Sequence, residues 1–82
     1  MKIGIIGTGY VGLPTGVGLA ELGNDVICID REQSKIDALN NGKLTIYEDG
    51  LEELFKKNVA AGRIKFTTSM KEGVEHADLV MI

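Results

Sequence analysis

The amino-acid sequence predicts an α/β fold, part of a doubly wound parallel sheet with helices packed on its faces. Patterns typical of strands alternate with patterns typical of helices along the 82 residues. A glycine-rich turn joins the first strand to the first helix, and the next strand ends on an aspartate. Such alternation is typical of parallel sheets, because parallel strands need long crossover connections that are usually helical.

The first strand is the apolar run that begins at Lys2, and it leads directly into three glycines at the spacing G-x-G-x-x-G. Gly7 lets the chain turn sharply off the strand. Gly9 has no side chain to hold a pyrophosphate away, and Gly12 lets the helix approach the strand closely. We expect a phosphate to bind unpaired backbone N–H groups here, because the positive end of a helix macrodipole favours an anion.

The first helix is predicted over about Tyr10–Leu22. Gly12, Gly16 and Ala20 recur every four residues and so share one face of this helix. We expect this face of small residues to press against the sheet. Pro14 is compatible with the helix, because it lies near the first turn, where a missing N–H has no partner to lose.

The second strand, Asp25–Asp30, ends on an acid at the edge where ligands of open parallel sheets bind. Asp30 follows the glycines by about 20 residues, and its carboxylate can accept both hydroxyls of an adenosine ribose. It would also repel a 2′-phosphate, which favours NAD over NADP, although the adjacent Arg31 weakens that preference. The glycine turn, the helix start and the acid together make NAD the predicted ligand.

Two further helices are predicted in the middle of the chain. The first covers Gln33–Asn40, and the sequence Asn-Asn-Gly stops it. A loop then leads to Asp49, which we expect to cap a longer helix that ends at Gly62. The apolar face of that helix comprises Leu51, Leu54, Phe55 and Val59.

The sequence pattern of the last part of the chain predicts a strand, then a helix, then another strand. Ile64–Thr68 alternates as a strand does, Ser69–Glu72 fits the S-x-x-E capping box, and Ala77–Ile82 begins another strand. Right-handed crossovers place the four strands in the order 3-2-1-4, as in a partial Rossmann-type sheet with flanking helices. Because 82 residues are few for a whole dinucleotide-binding domain, we expect residues 1–82 to form its N-terminal part and the rest of an enzyme to follow.

Composition and charge argue against several other functions. The net charge of −3, with acids and bases interspersed, gives no basic face for nucleic acid. The single cysteine, Cys28, cannot form an internal disulfide and is expected to be a small core residue. His76 has no partner pattern near it and is expected at a surface helix end. Neither a signal peptide nor a membrane-spanning apolar stretch is recognisable, so the sequence predicts a cytoplasmic protein without a membrane partner.

Several segments of the sequence resemble the UDP-glucose and GDP-mannose dehydrogenase family. The segments are Gly7–Thr15, Asp30 followed by Lys35-Ile36, Ile46–Leu51, and Phe66–Thr68. The forms G-Y-V-G-L-P and I-Y-E-x-G-L within them are much more specific than the glycine fingerprint. The resemblance runs through the whole chain, with one departure at Asp49, where the family usually has proline.

The resemblance implies NAD-dependent, two-step oxidation of the primary alcohol of a nucleotide sugar, most directly UDP-glucose to UDP-glucuronate, with two NAD molecules used per substrate. It places the pyrophosphate at the glycine loop with Tyr10 and Val11, and the adenosine ribose at Asp30 and Lys35. The cysteine nucleophile and the assisting lysine of the family have no counterpart in this chain. The resemblance therefore implies that the catalytic residues and the nucleotide-sugar site lie beyond Ile82, in a homo-oligomeric protein.

Proteins with other functions share part of this sequence pattern. A regulatory NAD-sensing domain has the same glycine turn and strand-end acid, but its third strand follows the second more closely, whereas here a helix that begins near Leu51 intervenes. A flavoprotein would normally place glutamate at the ribose. Within the family, GDP-mannose or a UDP-N-acetylhexosamine could replace UDP-glucose, because the residues that select the sugar lie downstream.

Overall fold

Four strands and four helices make up the structure, a computed structural model that describes residues 1–82. The strands are β1 (Lys2–Ile6), β2 (Asp25–Ile29), β3 (Ile64–Thr67) and β4 (Leu79–Met81). The helices are α1 (Gly12–Glu21), α2 (Gln33–Asn40), α3 (Leu51–Ala60) and α4 (Met70–His76). None of these helices combines the length and the hydropathy needed to cross a membrane.

The strands form one parallel sheet in the order β3-β2-β1-β4, which confirms the predicted fold class and topology. Ile6 at the end of β1 lies opposite Ile29 at the end of β2, and Ile29 lies opposite Thr67 at the end of β3. The carboxyl ends of these three strands therefore meet at one edge of the sheet. The loops that carry the glycines and Asp30 leave the sheet at this edge.

Helices cover both faces of the sheet. Alternate strand residues on one face join α1, α2 and α3 in a cluster of 13 buried residues, with Phe55 of α3 fully buried and 6.0 Å from the ring of Phe66. Helix α4 packs on the opposite face, where a Cβ added at Gly73 would collide with the side chain of Ile29. The sheet is therefore wound on both sides, as alternating strands and helices predict.

The small-residue face of α1 packs on the sheet as predicted. A Cβ added at Gly16 would lie 2.9 Å from the Sγ of Cys28 and 3.3 Å from Cδ1 of Ile5, and Ala20 is fully buried. Larger side chains at these positions would push α1 away from the sheet. The close approach of α1 fixes the place where its first turn lies, above the end of β1.

The structure corrects two predictions about helix starts. Helix α1 begins at Gly12, because Tyr10 and Val11 still belong to the loop that leaves β1, and this start puts Pro14 within the first turn. Asp49 does not cap α3, since Gly50 is the residue before this helix, at φ 78°, and no side chain caps it. The left-handed turn at Gly50 instead lets the N–H of Leu51 donate to the carbonyl of Glu48 at 3.1 Å.

The start of α4 and the apolar face of α3 differ in part from their predictions. Ser69 Oγ accepts from the N–H of Glu72 at 3.1 Å, but the return bond of a capping box is replaced by Ser69 N–H donating to Thr67 Oγ1 at 3.0 Å. On α3, Leu54 is 37% exposed, whereas Asn58 is fully buried. Asn58 faces inward because it bonds to Glu21 of α1 at 3.1 Å and to Arg63 at 2.8 Å.

His76 lies at the end of α4, as predicted, but it is not the exposed surface residue that the sequence predicts. Its side chain is only 20% exposed, and its Nε2 lies 3.8 Å from Oδ2 of Asp25 at the start of β2. The end of α4 folds over the amino-terminal edge of the sheet and so partly covers the imidazole. This edge is opposite the one that carries the glycine loop.

Cys28 lies in the core as predicted, and we expect its thiol to be unreactive in the native protein. The side chain is fully buried in β2, and burial raises the pKa of the Cys28 thiol to about 12. Alkylation needs the thiolate, which is scarce at such a pKa. Iodoacetamide at pH ~8 should leave the peptide that contains Cys28 unmodified until denaturant is added, as mass spectrometry of the digested protein would show. Equal labelling with and without denaturant would contradict the buried position.

Candidate functional site

The glycine loop connects β1 to α1 at the carboxyl edge of the sheet. Gly7 has φ 107°, a left-handed value that side chains disfavour, and its N–H donates to the carbonyl of Ile29 at 2.7 Å. A Cβ added at Gly12 would collide with the carbonyl oxygen of Gly7. A Cβ added at Gly9 would meet nothing. The conformational roles predicted for Gly7 and Gly12 are therefore confirmed, and the space beside Gly9 is open to a ligand.

Four consecutive backbone amides of this loop and of the first turn of α1 have no protein acceptor. The N–H groups of residues 9–12 donate to no backbone or side-chain oxygen, and no side chain caps α1. Unpaired N–H groups at a helix start carry partial positive charge and favour an anion. This stretch can therefore bind phosphate oxygens without any lysine, as the sequence predicts.

Asp30 directly follows β2 and faces the glycine loop. Its Oδ2 accepts hydrogen bonds from Thr8 Oγ1 at 2.7 Å and from the N–H of Thr8 at 3.2 Å. Its Oδ1 accepts from the N–H of Glu32 at 3.0 Å. The acid predicted to bind a ribose is thus held within 3.2 Å of the loop predicted to bind a pyrophosphate.

The carboxyl group of Asp30 is ionised at neutral pH. Burial raises its pKa, but the hydrogen bonds from Glu32 and Thr8 and the charge of Lys35 outweigh burial and hold the pKa below its ordinary 3.8. Lys35 acts on Asp30 through its charge from α2, without forming an ion pair. The carboxylate therefore presents a full negative charge to any ligand at this edge.

Tyr10 and Val11 lie at the outer side of the glycine loop, with 70% and 81% of their surfaces exposed. Neither contributes to the core. Their side chains flank the free amides, which is where the resemblance places a pyrophosphate. The structure thus brings the predicted residues to one edge of the sheet, with Lys35 on the adjoining helix, and their contact with a cofactor stays a prediction.

A cavity of about 370 Å³ adjoins the glycine loop and Asp30. It is lined by Ile6, Gly7, Ile29, Asp30, Arg31, Thr68 and Met70. Its walls therefore come from the ends of β1 and β2 and from the connection between β3 and α4. Small-molecule sites typically have such a volume, with apolar walls and a few polar groups.

A second cavity of about 310 Å³ lies beside the loop before α3 and is lined largely by acids, with Tyr47 and Glu48 at its wall. No group of three or more His, Cys, Asp or Glu residues in the structure is arranged to hold a metal ion.

Sequence reasoning missed Thr8. The threonine occupies a variable position of G-x-G-x-x-G, so the motif assigns it no role. In the structure its side chain is only 1% exposed and bonds to Asp30. Ile6 lies opposite Ile29, and this register brings the residues that follow β1 and β2 close together. The pairing of these two strands is therefore the signal that could have revealed the role of Thr8.

Comparison with known protein families shows to which family this chain belongs. The model of the NAD-binding domain of the UDP-glucose/GDP-mannose dehydrogenase family matches residues 1–82. The chain belongs to this family. The match confirms the predicted resemblance and the predicted cofactor, NAD, because the matched domain is the NAD-binding one.

Individual members of the dehydrogenase family match the chain over nearly its full length. UDP-glucose 6-dehydrogenase YwqF of Bacillus subtilis is 52% identical over 82 residues, which are 100% of this chain and 19% of that protein. GDP-mannose 6-dehydrogenase of Pseudomonas syringae pv. tomato is 45% identical over 82 residues, again 100% of this chain and 19% of that protein. The chain therefore spans about a fifth of the length of these relatives.

A solved structure agrees with the fold. The crystal structure of a ternary complex of GDP-mannose dehydrogenase from Pseudomonas aeruginosa superimposes with a TM-score of 0.93 at 40% identity, over 98% of this chain and 18% of that one. The sheet order and the helices on both faces are thus those of a nucleotide-sugar dehydrogenase. Relatives named for UDP-glucose and for GDP-mannose are similarly close to this chain, so similarity does not decide the sugar.

Proposed function

We propose that this chain is the N-terminal, NAD-binding portion of an enzyme that oxidises UDP-glucose to UDP-glucuronate. One observation carries the cofactor site: four free backbone amides and an ionised carboxylate face the same edge of the sheet. The amides suit the pyrophosphate of NAD, and the carboxylate suits a ribose. The choice of UDP-glucose rests on the 52% identity to the Bacillus enzyme.

The proposed binding mode follows the edge of the sheet. The pyrophosphate lies against the amides of Gly9, Tyr10, Val11 and Gly12, and the adenosine ribose lies at Asp30. The adenine enters the cavity of about 370 Å³ beside Asp30, where Met70 and the stem of Arg31 provide apolar walls. Lys35 adds positive charge on the ribose side, and the carboxylate of Asp30 repels the extra phosphate of NADP.

The rest of the activity is assigned to residues outside this chain. Residues 1–82 offer no positioned nucleophile, since the only cysteine, Cys28, is fully buried in β2. We propose that the nucleophile, the nucleotide-sugar site and the contacts of the nicotinamide belong to the remaining part of a cytoplasmic homo-oligomer. Neither a nucleic acid nor a membrane is a proposed partner.

Turnover of nucleotide sugars tests the proposed function. We expect the full-length protein to reduce two NAD molecules for each UDP-glucose oxidised, as followed by the absorbance of NADH. GDP-mannose and a UDP-N-acetylhexosamine serve as competing substrates and should be turned over more slowly. The isolated 82-residue chain should show no turnover with any of them.

Two results would contradict this assignment. Turnover by the isolated chain would show that a nucleophile is present in it. A full-length protein that binds NAD but oxidises no nucleotide sugar would favour a regulatory NAD-sensing domain, a function that the intervening helix α3 disfavours.

A further inference from the structure

The strongest unassigned feature of the site is the link between Thr8 and Asp30. The hydroxyl of Thr8 is buried, and its hydrogen bond to Oδ2 of Asp30 is 2.7 Å long. The N–H of the same residue donates to the same oxygen at 3.2 Å. Two hydrogen-bond donors of one buried residue therefore hold Oδ2 of Asp30 in place.

These bonds hold Asp30 in place before any ligand binds. Thr8 donates twice to Oδ2, and the N–H of Glu32 donates to Oδ1 at 3.0 Å. An ionised carboxylate has about four lone-pair sites, so acceptor capacity remains for a ribose. Three donors of the protein therefore set the direction in which the carboxylate faces a ligand at this edge of the sheet.

We propose that Thr8 is a positioning residue for the cofactor, which holds the carboxylate of Asp30 in the orientation that accepts the adenosine ribose. The inference rests on the proposed role of Asp30 as the ribose acceptor. Thr8 does not touch the cofactor, because its side chain is buried behind the carboxylate. It also ties the glycine loop to the end of β2, so that the pyrophosphate and ribose subsites keep a fixed separation.

Substitution of Thr8 tests the positioning role. Thr8→Val removes the hydroxyl at nearly constant shape and should weaken NAD about ten-fold, while Thr8→Ser should stay within about three-fold of the parent. Thr45→Val, at an exposed loop position without a hydrogen bond, is the matched control and should leave NAD affinity unchanged. Equal affinities of the Val and Ser variants would overturn the proposed role of the hydroxyl.

A double variant separates positioning from general damage to the loop. In an Asp30→Ala background, Thr8→Val should cause no further loss of NAD affinity, because there is no carboxylate left to position. An equal loss in both backgrounds would overturn the inference. If Asp30→Ala alone left NAD affinity unchanged, the proposed ribose site would fail instead, and the two failures are thus distinguishable.

Discussion

Gly9→Val is expected to abolish NAD binding while the fold survives. A Cβ at this position meets no protein atom within 4 Å, so the free protein has room for the side chain. That room is the approach of the pyrophosphate to the free amides of residues 9–12. We expect a loss of more than about 100-fold in NAD affinity by calorimetry, with the thermal unfolding midpoint nearly unchanged.

Two other glycines of the same region serve as controls for Gly9→Val. Gly18 lies exposed on α1 with open space around it, so Gly18→Val should change neither NAD affinity nor stability. Gly12→Ala should lower both, because its Cβ would collide with the carbonyl of Gly7 and push α1 away from β1. NAD affinity of Gly9→Val equal to that of the parent would remove the glycine loop from the cofactor site.

Asp30→Ala is expected to weaken NAD binding about ten- to 100-fold, because hydrogen bonds to a charged group are among the stronger ones. It should also narrow the preference for NAD over NADP, since the charge that repels a 2′-phosphate disappears. Asp30→Asn keeps an acceptor oxygen but loses the charge, so it should narrow the preference with a smaller loss of NAD affinity. Titration of each variant with both cofactors measures these effects.

The Asp30 variants need one control for charge and one for the fold. Glu75→Ala removes an equal charge from an exposed position near the opposite edge of the sheet and should leave both affinities unchanged. Asp30→Ala orphans the N–H and hydroxyl of Thr8, so thermal unfolding must be measured alongside. Unchanged NAD affinity and unchanged discrimination in Asp30→Ala would contradict the assignment.

The pKa of Asp30 also sets an expected pH dependence. Because the folded state holds this pKa below 3.8, the carboxylate stabilises the fold fully above the unfolded value. The stabilisation is lost only as the pH falls through the lower, folded value. NAD affinity measured between about pH 5 and 8 should therefore show no titration of Asp30.

The order of the elements and the topology of the sheet could be predicted from sequence, because both depend on local pattern. Apolar periods of strands and helices indicate each element, and right-handed crossovers leave few ways to arrange them. The special roles of Gly7 and Gly12 were also predictable, since backbone geometry at a sharp strand-to-helix turn admits few other residues. Asp30 was found because its distance from the glycines along the chain is characteristic.

The features that sequence reasoning missed depend on contacts between distant parts of the chain. Thr8 reaches Asp30 across 22 positions of sequence, and nothing in a local pattern marks a threonine as buried. The exposure of Leu54 and the burial of Asn58 follow from the way α3 meets α1, where Glu21 supplies a partner for the amide. The start of α3 was misassigned because a left-handed glycine, Gly50, replaced the expected side-chain cap.

A crystal structure of the full-length protein with NAD tests the central claim most directly. We predict pyrophosphate oxygens within about 3 Å of the amides of residues 9–12 and the adenosine ribose hydrogen-bonded to the carboxylate of Asp30. The hydrogen bond of Thr8 to Oδ2 should remain in place. A pyrophosphate bound away from the glycine loop, or a ribose without contact to Asp30, would contradict the account.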